Sequence, residues 1–257
     1  MRKFRAFATL TWVETKLFLR DPTATVFSMA LPLILLFLLS AVFGNTPSTQ
    51  EVNGMLIFRG ASGAEYYMTV SVMLVSVAIG LLSIPMHLAI YREQGILRRL
   101  RASSIPAWSI FASQITVTIA VSAVGSVIMA IVSAIVYHTA APKELLGVLV
   151  AFILATLCFA AIGFLIAALV GTARAAQGIT LIVYFIFFLL SGTGPPRAVL
   201  PSTARHVTEV IPLTHGLIAL QDPWFGWGWS GAELGILLLV TVVTAVPALY
   251  LFSRDSR

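Results

Sequence analysis

Six uncharged apolar runs, each about as long as a bilayer crossing, constrain this chain more than any motif in it. They cover 24–43, 66–90, 107–137, 145–170, 176–191 and 233–252. A helix rises 1.5 Å per residue, so roughly 20 apolar residues cross ~30 Å of hydrocarbon. No Asp, Glu, Lys or Arg lies within these limits beyond Glu233, the first residue of the sixth run. Of the 257 residues, 59% are hydrophobic and only 10% charged, against about 25% charged in soluble domains. Backbone in lipid must satisfy its own hydrogen bonds, so runs of this length read as helices. The chain is therefore read as an all-α integral membrane protein with six transmembrane helices in a single transmembrane domain, 1–257.

The segments between the runs have character of their own. Residues 1–21 form an amphipathic helix. Phe4, Phe7, Leu10, Val13, Leu17 and Phe18 share one broad face, and Arg2, Arg5, Lys16 and Arg20 cluster on the other. That pattern fits an interfacial helix lying on the membrane. A signal peptide would place its apolar core directly after the basic start, but Glu14, Lys16, Arg20 and Asp21 intervene. Asp21 is a good helix cap and Pro22 a good first-turn residue. The region 192–231 holds five of the twelve prolines yet stays partly apolar. It reads as an outer re-entrant hairpin of two short helices, since a structureless loop that long is uncommon. Trp224, Trp227 and Trp229 follow where an aromatic belt belongs. Pro85 is expected to kink the second span.

An even number of spans puts both termini on one side. Twelve of the sixteen Lys and Arg fall on that side, and four (Arg59, Lys143, Arg197 and Arg205) on the other. The positive-inside rule places both ends in the cytoplasm, as expected of a multi-pass protein of the cell inner membrane. The net charge of +6 is thus a topology signal and does not indicate a nucleic-acid partner.

Catalytic signatures are missing. There is no GxxxxGK[ST] phosphate loop. Leu190-Ser191-Gly192 is similar to an ATPase signature loop, but it stands at the outer end of a span and reads as a helix end. Proton-coupled carriers and intramembrane enzymes place ionisable groups inside the bilayer, which these spans lack. His87 and His138 fall at span ends. His206, Glu209 and His215 are close in sequence without forming a zinc motif, so no metal is assigned. The single Cys158 excludes an internal disulfide.

The stretch 91–104 is strongly basic and has the length of a short helix. Ile96, Leu97 and Leu100 would form an apolar ridge, with Arg92, Arg98, Arg99 and Arg101 around it. Such a helix would dock in a groove of a soluble partner and pass force to both attached spans. A basic loop that only fixes topology satisfies the same pattern.

Family resemblance bears on that choice. Glu93, Gly95, Leu97, Leu100, Arg101 and Ala102, closed by Pro106, resemble the Glu-x-Gly-x-Leu-x-x-Leu-Arg-Ala pattern of type-2 ABC exporter permeases. Ser191-Gly192, Pro196, Leu200-Pro201 and Ile211-Pro212-Leu213-Thr214 resemble the family's outer run, with Ile211 where Asn is frequent. Within the family, the chain resembles the drug-efflux permeases related to daunorubicin resistance exporters. The resemblance implies a transport subunit, not an enzyme, that binds no cofactor itself. ATP and Mg would reside in a separate ABC ATPase subunit, present in two copies. A second permease copy or a paralogue completes the complex, surrounded by membrane lipid.

The cargo implied is a small hydrophobic or amphipathic substrate (drug, antibiotic or lipid), exported by alternating access along a path lined by the first, second and fifth spans. Coupling to the ATPase would fall to Arg92, Glu93, Gly95, Ile96, Leu97, Arg98, Arg99, Leu100 and Arg101. The outer hairpin would rest on Gly192, Pro196, Pro201, Glu209 and Pro212. Pro32, Pro85 and Pro247 permit bends, and Gly163, Ala167 and Gly171 form a ladder for close helix packing inside one subunit. Lipid-linked glycan export is the alternative cargo. An ATP-independent carrier and a membrane enzyme at His206, Glu209 and His215 are the alternative classes.

Overall fold

The computed structural model describes residues 2–20, 22–96, 99 and 107–254. Each apolar run is helical. Helix α1 spans Arg2–Arg20 and α2 Pro22–Phe43. Helix α3, Gly63–Val77, continues through a π-helical turn, Ala78–Ser83, into α4, Ile84–Glu93. Then come α5 (Ala107–Tyr137), α6 (Leu145–Leu169) and α7 (Ala173–Leu190). A 3₁₀ turn at Arg197–Val199 precedes α8 (Ser202–Thr208), α9 (Pro212–Phe225) and α10 (Gly231–Arg254). Among the described residues, five helical stretches are long and apolar enough to cross a membrane, and Ser28–Phe43 of α2 is a shorter apolar one. The fold is that of an all-α integral membrane protein.

Three local features go beyond the sequence reading. The second span begins at Gly63, because Ser62 and Glu65 close a capping box. Ser62 Oγ accepts from Glu65 N at 3.2 Å, and Glu65 Oε2 accepts from Ser62 N at 3.1 Å. The polar stretch before it holds a small hairpin, β1 (Glu51–Val52) with β2 (Met55–Leu56), antiparallel. Its turn is Asn53-Gly54, both at positive φ (55° and 74°), as a type I′ turn requires. The third is at Pro85. The helix is not broken there; it widens into a π turn two residues upstream. Proline lacks an N–H and crowds the carbonyl four residues before it, and a wider turn accommodates both.

Helix α3 is the centre of the bundle, with every residue except Glu65 buried. Polar side chains tie it to its neighbours where lipid offers no partners. Ser71 Oγ donates to Pro32 O of α2 at 3.1 Å, and Ser126 Oγ of α5 to Val72 O at 3.3 Å. Gln221 Nε2 of α9 donates to Thr69 Oγ1 at 3.0 Å. The π turn packs on α6 so closely that a Cβ at Gly163 would stand 2.3 Å from Gly80 O. Gly163 and Ala167 of the small-residue ladder are therefore packed within the chain, whereas Gly171 faces open space.

Candidate functional site

Three consecutive residues at the end of α4 bind three different parts of the molecule. Tyr91 Oη donates to Glu14 Oε1 of α1 at 2.8 Å. Arg92 Nη1 donates to Ala167 O at 3.2 Å and Val170 O at 2.9 Å, the carbonyls that close α6. Glu93 Oε1 accepts from Ala173 N, the first residue of α7, at 3.0 Å. A helix ends with unpaired carbonyls and begins with unpaired N–H groups, so a cation suits the first place and an anion the second. Arg92 also lies 5.5 Å over the Phe252 ring of α10. Glu14 is buried, 5% exposed. Burial pushes its carboxyl above the ordinary range, opposed by the hydrogen bond from Tyr91 and by Gln114 of α5.

Beyond Glu93 the chain turns at Gly95, whose φ of +67° suits glycine and whose surroundings are open. Arg99 Nη2 donates to Gln94 O at 2.9 Å and is exposed. Ile96 is half-buried. Leu97, Arg98, Leu100 and Arg101, with Ala102 and Pro106, lie outside the described residues, so of the expected apolar ridge only Ile96 is placed.

The region 192–231 holds two helices before α10, the short α8 and the longer α9. Tyr66 Oη donates to Gly192 O at 2.8 Å and Tyr67 Oη to Gly194 O at 3.1 Å, fastening the turn after α7 to the top of α3. Pro196 and Pro201 each precede a short helix, and Pro212 opens α9. The trio His206, Glu209 and His215 does not converge. His206 is exposed, with Nδ1 3.2 Å from Ser202 O. His215 is buried; its Nδ1 meets the Glu233 carboxylate of α10 and its Nε2 the Glu209 backbone carbonyl at 2.9 Å. Among the described residues no three metal-binding groups gather. Trp224 departs from the belt reading: it is buried, with Nε1 donating to Ala140 O at 3.3 Å. Trp227 and Trp229 are exposed.

A family model described as ABC-2 type transporter matches residues 5–225. The chain belongs to the ABC-2 type transporter family. The match runs from the first turns of α1 to the last residue of α9, so it takes in the 91–104 segment and most of the 192–231 region. The chain is thus the permease of an ABC transporter, a multi-pass transport subunit, and the family implies an ATPase partner. No curated protein matches the chain.

Sequence reasoning on this permease missed Glu14, Tyr91 and the Arg59 cluster. Arg59 pairs with Asp222 at 2.7 Å, donates to Gln221 Oε1 at 3.3 Å and lies 4.7 Å over the Trp227 ring. The signal for Glu14 was present, since a helical wheel puts it on one face with Phe7 and Phe18. Arg59 and Asp222 are far apart in sequence, and nothing local announces their pairing.

Proposed function

We propose that this permease moves a hydrophobic or amphipathic substrate outward by alternating access, driven by ATP binding in a pair of separate ATPase subunits. The observation that carries the reading is the Tyr91–Arg92–Glu93 cluster. A push on the basic segment that follows, Gly95 to Arg101, would reach α1, the α6–α7 turn and α10 through hydrogen bonds of 2.8–3.2 Å and one cation–π contact. Rigid elements joined in this way tilt together, which is what rocking between inward- and outward-open states needs. Family membership supports the ATPase partner. The twelve-to-four distribution of basic residues supports cytoplasmic termini, and so a cytoplasmic position for the cluster.

The substrate path is assigned to the seam between two permease halves. Ile179, Ile182, Ile186 and Leu189 form an outward apolar stripe on α7, suited to lipid or to the partner half. Drugs, antibiotics and lipids share the chemistry such a seam accepts. The test is co-purification with candidate ABC ATPases, followed by ATP turnover and substrate efflux from liposomes. Failure to associate with any ATPase, or efflux without ATP, would refute the proposal. Glu93→Gln is expected to leave ATP turnover intact and lower efflux per ATP; undiminished coupling would remove the segment's assigned role.

A further inference from the structure

Behind the β1–β2 hairpin lies a cavity of about 340 Å³, bounded by the tops of α3 and α10 and one face of α9. Its walls are amphipathic: Leu56 and Leu217 line it together with Tyr66, Arg197, Thr214 and Glu233. Thr214 is 1% exposed, yet its Oγ1 has no hydrogen-bond partner. Buried hydroxyls are nearly always paired, and this orphan belongs to a residue that lines the cavity, which leaves room for a partner from outside the chain.

The charges of the wall add a second observation. Arg59 is neutralised by Asp222 at 2.7 Å. His215 Nε2 faces the Glu209 carbonyl, which can only accept, so that nitrogen carries hydrogen. The contact of Nδ1 with the Glu233 carboxylate needs one further proton, on either partner. Glu233 is thus engaged by His215. Arg197 remains, and among the described residues no carboxylate pairs with it. Its side chain is held in place: Nε donates to Thr208 Oγ1 at 3.1 Å, and Cγ lies across Gly192, where a Cβ would stand 2.8 Å away. With Nε tethered, its terminal N–H groups remain for a ligand. The volume is within the range of small-molecule sites.

We infer that this cavity binds the anionic head of an amphiphile, a phosphate or carboxylate, on Arg197 and Thr214, with its apolar part against Leu56 and Leu217. The site lies within one chain and needs neither ATPase nor nucleotide. It is tested without them, so its failure leaves the permease reading standing.

The probe is octyl phosphate, titrated calorimetrically into the permease in phosphatidylcholine nanodiscs. Saturable binding of about one per chain is expected, and octyl glucoside should not compete. Arg197→Gln should weaken binding by at least about tenfold, the effect of losing one charge-assisted hydrogen bond. Thr214→Val should weaken it less, and Arg197→Lys should restore part of the loss. Arg174→Gln, remote from the cavity, should change nothing.

Two further arms identify the source of the anion. Inorganic phosphate binding with the same Arg197 dependence marks a free anion. Phosphatidylglycerol retained in native mass spectra by the parent chain and lost by Arg197→Gln marks a lipid headgroup. Binding unaffected by Arg197→Gln, displacement by octyl glucoside, or no saturable binding of any of the three anions would overturn the inference. If Arg197→Gln does not fold, unchanged affinity in Thr214→Val does the same.

Discussion

Glu14 shows how a single residue acquires meaning only from its surroundings. In sequence it is one acid in an amphipathic helix; in the fold it is buried and held by Tyr91. Burial raises its pKa, so the folded chain binds this proton more tightly than the unfolded chain. The stability it contributes is complete below the ordinary value of 4.5 and is lost as pH rises through the raised one. Glu14→Gln, always neutral, should therefore show a flatter dependence of Tm on pH in detergent between pH 4.5 and neutrality; curves that run parallel would contradict this. Tyr91→Phe leaves the carboxylate without its hydroxyl donor and should cost about 1–3 kcal/mol, a loss reduced when combined with Glu14→Gln. Glu93 is exposed, so Glu93→Gln should cost only about 0.3–1 kcal/mol through the α7 terminus. That small stability effect separates its structural role from the coupling defect expected in efflux. The motif around Glu93 was readable from its residue types, whereas the groups it touches are some 80 positions away.

At the scale of elements, helix lengths follow from apolar run length, and their ends from caps. The Ser62–Glu65 box and the Asn53-Gly54 turn are both local signals, decipherable without tertiary information. The π turn is not local in this sense. It brings Gly80 against Gly163, and neither residue has room for a side chain. Gly163→Ala should separate α6 from the π turn and cost about 1–3 kcal/mol as overpacking. Gly171→Ala, in open space, should be neutral. Thermal denaturation in one detergent checks both, and equal Tm values for the two variants would show that the close approach is unimportant. The ladder of small residues was visible as a pattern, but only packing distinguishes its close-packed rungs from its free one.

For the whole molecule, the test of orientation is chemical access. Cys158 is buried, so the natural chain gives little background with maleimides. Val210→Cys, at an exposed position that the proposed topology puts outside, should react with a membrane-impermeant maleimide on intact cells, and Arg174→Cys only after lysis. The opposite pattern would invert the topology and move the coupling segment outside. Membrane residence and the approximate limits of the apolar helices are determined by sequence alone, because lipid selects on the length and composition of a run, both of which are one-dimensional. Which helix is central, that Glu14 is buried, and that Arg197 meets no carboxylate among the described residues were decided only by the tertiary structure. Glu14 and Tyr91, Arg59 and Asp222, and His215 and Glu233 meet through packing between distant segments. Their chemistry depends on desolvation and on distances of about one hydrogen bond, quantities that no local pattern encodes.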